Sequence, residues 1–163
     1  LVMATRSGSV DPGLVLWLEE HVGTPPAELA SALEHRSGLL GLAGSADMRT
    51  ILERAAAGEP DSSLAIDVYS HRLRAGIAAM AAAMAGLDLL VFTGGVGEHA
   101  PEIRERSCAG LGFLDVGLDP GRNGATEDAE IGAAGRRVRV VVLTAREDLQ
   151  IAHEVRQVLG WPA

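Results

Sequence analysis

The chain runs Thr93-Gly94-Gly95-Val96-Gly97 straight after the apolar stretch Leu87–Phe92 and straight before Glu98-His99-Ala100-Pro101. A buried strand that ends in glycines and opens a helix presents backbone N–H groups at one spot, and the helix dipole adds positive potential there. Glycines also let a phosphate or a ribose come close with no Cβ in the way. Two readings fit that pattern equally: an anion- or nucleotide-binding turn, and a tight strand-to-helix turn with no ligand.

Three further groups carry charge at places where a ligand is handled. Arg6 sits in the polar loop Thr5-Arg6-Ser7-Gly8, where its guanidinium could hold a carboxylate or steady charge on a transferring phosphoryl group. Asp47-Met48-Arg49 opens a helix; Asp47 suits the positive end, whereas Arg49 opposes it and so calls for a partner elsewhere. Glu147-Asp148 follows the apolar run Val138–Leu143. It can be read as dipole-complementing carboxylates or as a Mg²⁺ ligand, direct or through water. Taken singly, Arg6 and Arg49 are better read as solvated surface arginines.

Some chemistries are excluded. The 163 residues contain 14 basic side chains, all arginine, so there is no P-loop lysine and a phosphate site must use another design. None of the five histidines stands at metal-ligand spacing from another, although His99 adjoins the glycine turn. No Gly-x-Ser-x-Gly and no Cys/His pair offers a nucleophile. The single cysteine, Cys108, excludes an internal disulfide and a thiolate zinc cage, and reads as a small buried apolar residue. A net charge of −8 argues against nucleic acid as partner. Ile77–Phe92 is too short for a bilayer span and carries Gly86 and Asp88, so no membrane partner and a cytoplasmic setting are expected.

The elements that must position these groups can be traced along the chain. Leu1–Ala4 reads as a strand end, and with no starter Met before it the sequence looks cut. Asp11-Pro12 begins a helix with Leu14, Leu16, Trp17 and Leu18 on its apolar face, stopped by Gly23. A second helix runs from Thr24-Pro25-Pro26 to about His35. Ser37–Ser45 reads as a tight Gly/Leu loop whose backbone must approach something closely. Ser45 is expected to cap a helix from Ala46 to about Ala57, and Asp61 to cap the longest helix, to about Ala85. The Ala/Met-rich end of that helix, Ile77–Ala85, is apolar all round and is expected to be buried. Leu87–Phe92 and Val138–Leu143 read as strands covered on both faces. Phe113–Val116 reads as a short strand, Leu118–Ala129 as a polar surface loop, and Arg146–Leu159 as a final helix. Strand, glycine turn, helix, strand, helix is an α/β order. With 3% aromatics the core must be built from Ala, Leu, Val and Ile.

Five stretches in order resemble the acetate kinase family: Met3–Pro12, Ser37–Gly44, Ser45–Arg49, Val91–His99 and Arg146–Leu149. The resemblance covers essentially the whole chain. It implies an α/β, ribonuclease H-like lobe of the sugar-kinase/Hsp70/actin type, helix-rich with a short incomplete sheet. Residues 1–163 would form the C-terminal nucleotide-binding lobe of a two-lobe kinase. The implied reaction is reversible phosphoryl transfer from ATP to acetate, giving acetyl phosphate and ADP, with Mg²⁺ or Mn²⁺. By motif position, Arg6 would bind acetate and steady the in-line transition state. Asp47, Met48 and Arg49 would contact the nucleotide, Gly95, Val96, Gly97, Glu98 and His99 would cradle its adenosine side, and Glu147 would hold the metal.

Two departures stand out. The family commonly has Asn where His99 stands. The family's N-terminal portion, with its first phosphate-binding motif, its aspartate, its His-x-Gly-x-Gly loop and the strands that pair with this sheet, has no counterpart here. The resemblance therefore implies an incomplete chain, inactive alone, whose sheet exposes an edge and an apolar face. Self-association, as in the family's homodimer, would cover them. A non-catalytic nucleotide-binding or dimerisation module is the alternative, and propionate and butyrate kinases share the same motifs.

Overall fold

A computed structural model describes residues 2–161. Helix α1 (Pro12–Trp17) begins as expected: Asp11 accepts the Gly13 N–H at 2.7 Å and Pro12 occupies the first helical position. It widens into a π-helical segment, Leu18–Val22, that Gly23 ends with a left-handed backbone. Its apolar face is not covered; Leu14, Leu16 and Trp17 are exposed. Helix α2 (Pro26–His35) follows.

Residues 2–7 depart from the expected strand end, and Leu1 lies outside the described residues. Their carbonyls serve helix α3 (Gly38–Ala43), which replaces the expected loop. The first N–H groups of a helix have no partner within it. Here Thr5, Ala4 and Met3 accept those of Ser37, Leu40 and Leu39 at 2.8, 3.0 and 2.9 Å. The close approach read from the glycines is real. Gly38 has φ +62°, and a Cβ placed there would sit 2.2 Å from the Met3 carbonyl oxygen and 2.7 Å from that of Arg6.

Helix α4 (Met48–Ala56) is capped by Asp47, not by Ser45. Asp47 accepts the Arg49 N–H at 3.2 Å and the Thr50 hydroxyl at 2.8 Å, while Ser45 Oγ accepts the Asp47 N–H one step earlier. Helix α5 (Pro60–Ala83) has Glu59 at its N-cap and Pro60 at the first position, which leaves Asp61 inside the first turn. The all-apolar end of α5 is not the centre of the core. Ala81 is buried, but Met80 and Met84 are about 60% exposed (59% and 62%).

Strand β1 (Leu89–Phe92) lies at one edge of a three-stranded sheet ordered β1-β3-β2. It runs parallel to β3 (Arg139–Val142), with Leu89 opposite Arg139 and Phe92 opposite Val142. The short β2 (Ala129–Glu130) pairs antiparallel with β3. As the central strand, β3 buries Val140, Val141 and Val142. The expected cover on both faces of β1 is absent among the described residues: Leu89 and Val91 are exposed. The sheet thus has an open edge and an uncovered apolar face. Gly94–Gly97, expected as a turn ahead of one helix, are instead the first residues of helix α6 (Gly94–His99), and a separate helix α7 (Pro101–Cys108) follows after one residue. Gly112–Leu114 is a single 3₁₀ turn in place of the expected strand. Helix α8 (Glu147–Leu159) buries none of its residues.

Two cores hold the lobe. Val2, Leu39, Met48, Ile51, Ala65, Ile66, Ala100 and Ile103 pack beneath α3, α4, α5 and the α6–α7 junction. Phe92, Cys108, Leu111, Val116, Ile131, Val138, Val140 and Val142 form the other, around the sheet. Cys108 is buried, as its composition reading requires. No helix among the described residues is long and apolar enough to cross a membrane.

Candidate functional site

Met48 at the start of α4, Val96 in α6 and Ala100 just after it all pack into the first core, which brings the two helices to one hollow. Its volume is about 540 Å³, within the roughly 300–1,000 Å³ usual for small-ligand pockets. Asp47, Met48, Arg49, Gly95, Val96 and His99 all line it, together with Ala46, Leu52, Glu53 and Ala100. Motifs nearly fifty residues apart in sequence therefore meet in one cavity. Its walls are apolar, with Met48, Leu52, Val96 and Ala100, and its ionisable groups lie at the edges.

Each polar member is held differently. The Asp47 carboxylate is committed to capping α4; the Thr50 hydroxyl foremost, with the Arg49 backbone N–H, keeps it below the usual carboxylate range. The Arg49 guanidinium is 83% exposed and makes a long ion pair with Asp47, Nη2 to Oδ2 3.8 Å, at the rim of the hollow. Gly95 offers open space; a Cβ built there meets nothing within 4 Å.

Gly97 and Glu98 do not line the hollow. A Cβ on Gly97 would lie 3.3 Å from the Phe92 carbonyl carbon, so this glycine lets α6 fold back on the end of β1. Glu98 is buried and faces inward. Its Oε1 accepts the Gly94 N–H at 2.7 Å and the Ala145 N–H at 2.8 Å, with Thr93 Oγ1 at 3.5 Å. These donors, the Ala145 amide foremost, hold its carboxyl below the usual range against the opposing effect of burial. One amide expected to be free for an anion is thus already occupied by a carboxylate. The apolar walls of the hollow suit an uncharged group better than an anion.

Arg6 lies outside this hollow, exposed on its loop, but its backbone is pinned against Gly38. Glu147 is exposed at the start of α8, two residues beyond the Ala145 amide that binds Glu98. No group of three or more His, Cys, Asp or Glu side chains gathers among the described residues. One or two exposed carboxylates at a helix start do suit a Mg²⁺-type ion that keeps waters and takes its other ligands from phosphates.

Arg104 escaped the sequence reading. It is fully buried, and its N–H groups donate to Asn123 Oδ1 at 3.0 Å, to the carbonyls of Gly97, Glu98 and Ala125 at 2.8, 2.7 and 3.0 Å, and to that of Asn123. Asn123 in turn donates to the Pro101 carbonyl at 2.9 Å. The only cue available was an arginine in a helix that otherwise reads as amphipathic.

The topology and the helix-rich covering define a partial ribonuclease H-like lobe of the kind found in two-lobe kinases. Comparison with solved structures gives the acetate kinase of Porphyromonas gingivalis at a TM-score of 0.91 and 36% identity, over 98% of this chain and 41% of that one. A propionate kinase of Francisella tularensis gives 0.88 and 36%, over 94% and 40%. The chain belongs to the acetokinase family, whose model matches residues 1–153. Among curated relatives, the acetate kinase of Gloeobacter violaceus is 47% identical over 159 residues, 96% of this chain and 39% of its own length. That of Leifsonia xyli is 43% identical over 162 residues, 98% and 41%. The chain spans about 40% of the length of the relatives it matches.

Proposed function

We propose that residues 1–163 are the C-terminal nucleotide-binding lobe of an acetate kinase, and that the hollow between α4 and α6 receives the nucleoside of ATP or ADP. The observation that carries this reading is the convergence of Asp47, Met48, Arg49, Gly95, Val96 and His99 on one apolar-walled cavity. Base and ribose would lie against Met48, Val96 and Gly95, with Arg49 and His99 at the rim. Gly97 and Glu98 would hold the turn without touching the ligand.

The phosphates would leave the hollow towards the start of α8, where Glu147 would hold Mg²⁺ or Mn²⁺, directly or through water. The metal supplies charge neutralisation on the phosphate oxygens. Arg6 would bind acetate and steady charge on the γ-phosphoryl group in transit; its pinned loop backbone supports a fixed placement. Positioning and electrostatics carry such a transfer without a covalent enzyme intermediate. Transfer to acetate needs groups beyond these 163 residues, so the isolated chain binds nucleotide and does not turn over. A cytoplasmic homodimer paired through this lobe completes the reading.

The test is acetyl phosphate formation from ATP and acetate, assayed beside ADP binding, for the chain alone and with the rest of its relatives' length supplied. Binding without turnover by the chain alone, and turnover by the longer protein, is expected. Turnover by the chain alone would show that its own residues suffice, and a chain that binds no ADP would refute the site. Propionate is a second candidate acceptor, since the propionate kinase matches at the same 36% identity as the acetate kinase structure. Acyl length differing by one methylene is worth only about 1–3 kcal/mol. Rates on acetate, propionate and butyrate with the longer protein separate the acceptors.

A further inference from the structure

Beyond Phe92 and Val142 the parallel strands β1 and β3 part. Their last shared hydrogen bond is Leu143 N–H to the Phe92 carbonyl, at 2.9 Å. Past it, the chain after β1 turns into α6 and the chain after β3 turns towards α8. Open α/β sheets bind ligands where neighbouring strands diverge in this way, so the spacing between the two turns matters.

One carboxylate bridges that gap, and a second braces the chain after β3. Glu98 Oε1 takes the N–H groups of Gly94 and Ala145, which stand on opposite sides of it. Asp128 takes the Thr144 N–H at 2.8 Å with one oxygen and the Arg146 guanidinium at 2.7 Å with the other. Three consecutive residues, Thr144, Ala145 and Arg146, are thus tied to carboxylates from elsewhere in the fold. Glu147, the next, is exposed and forms no ion pair among the described residues.

Glu98 is costly where it stands. It is 6% exposed, and His99 Nε2 lies 4.0 Å from its Oε2. A buried carboxylate is tolerated only when hydrogen bonds replace its water. Both backbone donors converge on one oxygen, and Arg104 grips the same residue's carbonyl from behind at 2.7 Å. Side chain and main chain of Glu98 are therefore both fixed.

We propose that Glu98 is a positioning residue that sets Glu147 relative to the hollow, by joining the Gly94 and Ala145 amides through one carboxylate oxygen, with Asp128 as a second brace. This rests on the nucleotide reading above, in which Glu147 serves the metal and Gly95–His99 the nucleoside. Glu98 itself touches neither.

Two substitutions separate position from charge. E98Q keeps an oxygen in place and removes the charge; E98D keeps the charge and withdraws the oxygen by about 1.5 Å, one C–C bond. The 163-residue chain is titrated with ADP, with and without Mg²⁺, and amide exchange is followed at Gly94, Ala145 and, as a check of folding, Val140. E147Q is expected to abolish the tightening of ADP binding by Mg²⁺. E98D is expected to cost about tenfold in Mg²⁺-dependent ADP affinity, the usual scale for removing a group that orients a metal ligand. It should also lose Ala145 amide protection, keep that of Val140, and leave metal-free ADP affinity little changed. E98Q should behave nearly as wild type.

The reverse pattern, E98Q impaired and E98D intact, would make Glu98 an electrostatic element and overturn the proposal. So would a folded E98D with an exposed Ala145 amide and full Mg²⁺-dependent affinity. If E147Q keeps the Mg²⁺ effect, or wild type binds no ADP, the nucleotide reading itself fails and this inference with it. Loss in E147Q with none in E98D removes the inference alone.

Discussion

The Arg104 guanidinium donates to the carbonyl of Gly97 at 2.8 Å from wholly inside the protein. The last turn of α6 is therefore anchored by a buried cation whose partners are neutral oxygens, with no carboxylate among them. Its five N–H donors meet five acceptors, from Gly97, Glu98, Asn123 (twice) and Ala125. Replacing Arg104 with Met leaves those oxygens unsatisfied in the interior. The expected loss is on the order of 4 kcal/mol, at the severe end for a point substitution. Arg104→Lys should recover little of it, because a point ammonium cannot reach both sides of the fork. Urea unfolding midpoints check both; a Met variant as stable as wild type would refute the anchor.

Gly38 and Gly95 should respond oppositely to alanine. Gly38→Ala drives a Cβ into the Met3 and Arg6 carbonyls at a left-handed φ, so a loss of about 3 kcal/mol and a displaced Arg6 loop are expected. Gly95→Ala meets no atom and should leave stability intact. Its methyl would narrow the hollow, and ADP binding should weaken about tenfold, or about 1.4 kcal/mol. Thermal melts and ADP titrations of the two variants would expose any failure of this split.

Acid should unfold the lobe. Asp47, Glu98, Asp115, Asp128 and Glu130 all have folded-state pKa values below the ordinary 3.8 for Asp or 4.5 for Glu. Each contributes stability that is fully present above its ordinary pKa and is lost as pH falls through the depressed one. Stability should therefore hold near neutrality and fall below about pH 4.5. Around Glu98 the charged neighbours are His99 and Arg146, which both favour its ionised form. E98Q should flatten the acid limb of the urea midpoint plotted against pH; an unchanged slope would contradict the assigned hydrogen bonds.

Cys108 should be inert. Burial pushes its thiol up to about 12, despite the Arg104 charge nearby. Reactivity belongs to the thiolate, so a thiol reagent at about pH 8 should label the native chain hardly at all and the unfolded chain fully. Rapid native labelling would mean that the second core is open.

Exposed apolar side chains on α5, β1 and α8 (Met80, Met84, Leu89, Val91, Leu149, Val155 and Val158 among them) favour self-association of this chain. Sedimentation should give a dimer or larger species; a stable, well-folded monomer would count against it.

Local chemistry carried most of the element order. Asp11-Pro12 and Gly23 act through short-range backbone rules, and their helix begins and ends within a residue or two of expectation, whereas Gly94–Gly97, expected as a turn ahead of a helix, are themselves its first residues. Failures came where partners far along the chain decide. Within Ser37–Ser45, Gly38–Ala43 is helical because carbonyls of residues 3–5 complete its first turn. Ile77–Ala85 and β1 carry the pattern of buried elements, yet no described residue covers their outer faces. At the site, the motifs placed Asp47–Arg49 and Gly95–His99 together, but not which side chains turn inward. Glu98 and Arg104 are fixed by bonds spanning up to 47 residues, which no local pattern encodes.

The most direct test is a two-dimensional amide NMR titration of the 163-residue chain with ADP. The nucleotide reading expects concentrated shifts at Asp47–Arg49, Gly95, Val96 and His99, saturating as a single site. Shifts confined to another hollow, such as that lined by Ser7, Arg36 and Arg72, or no saturable shift at all, would contradict it.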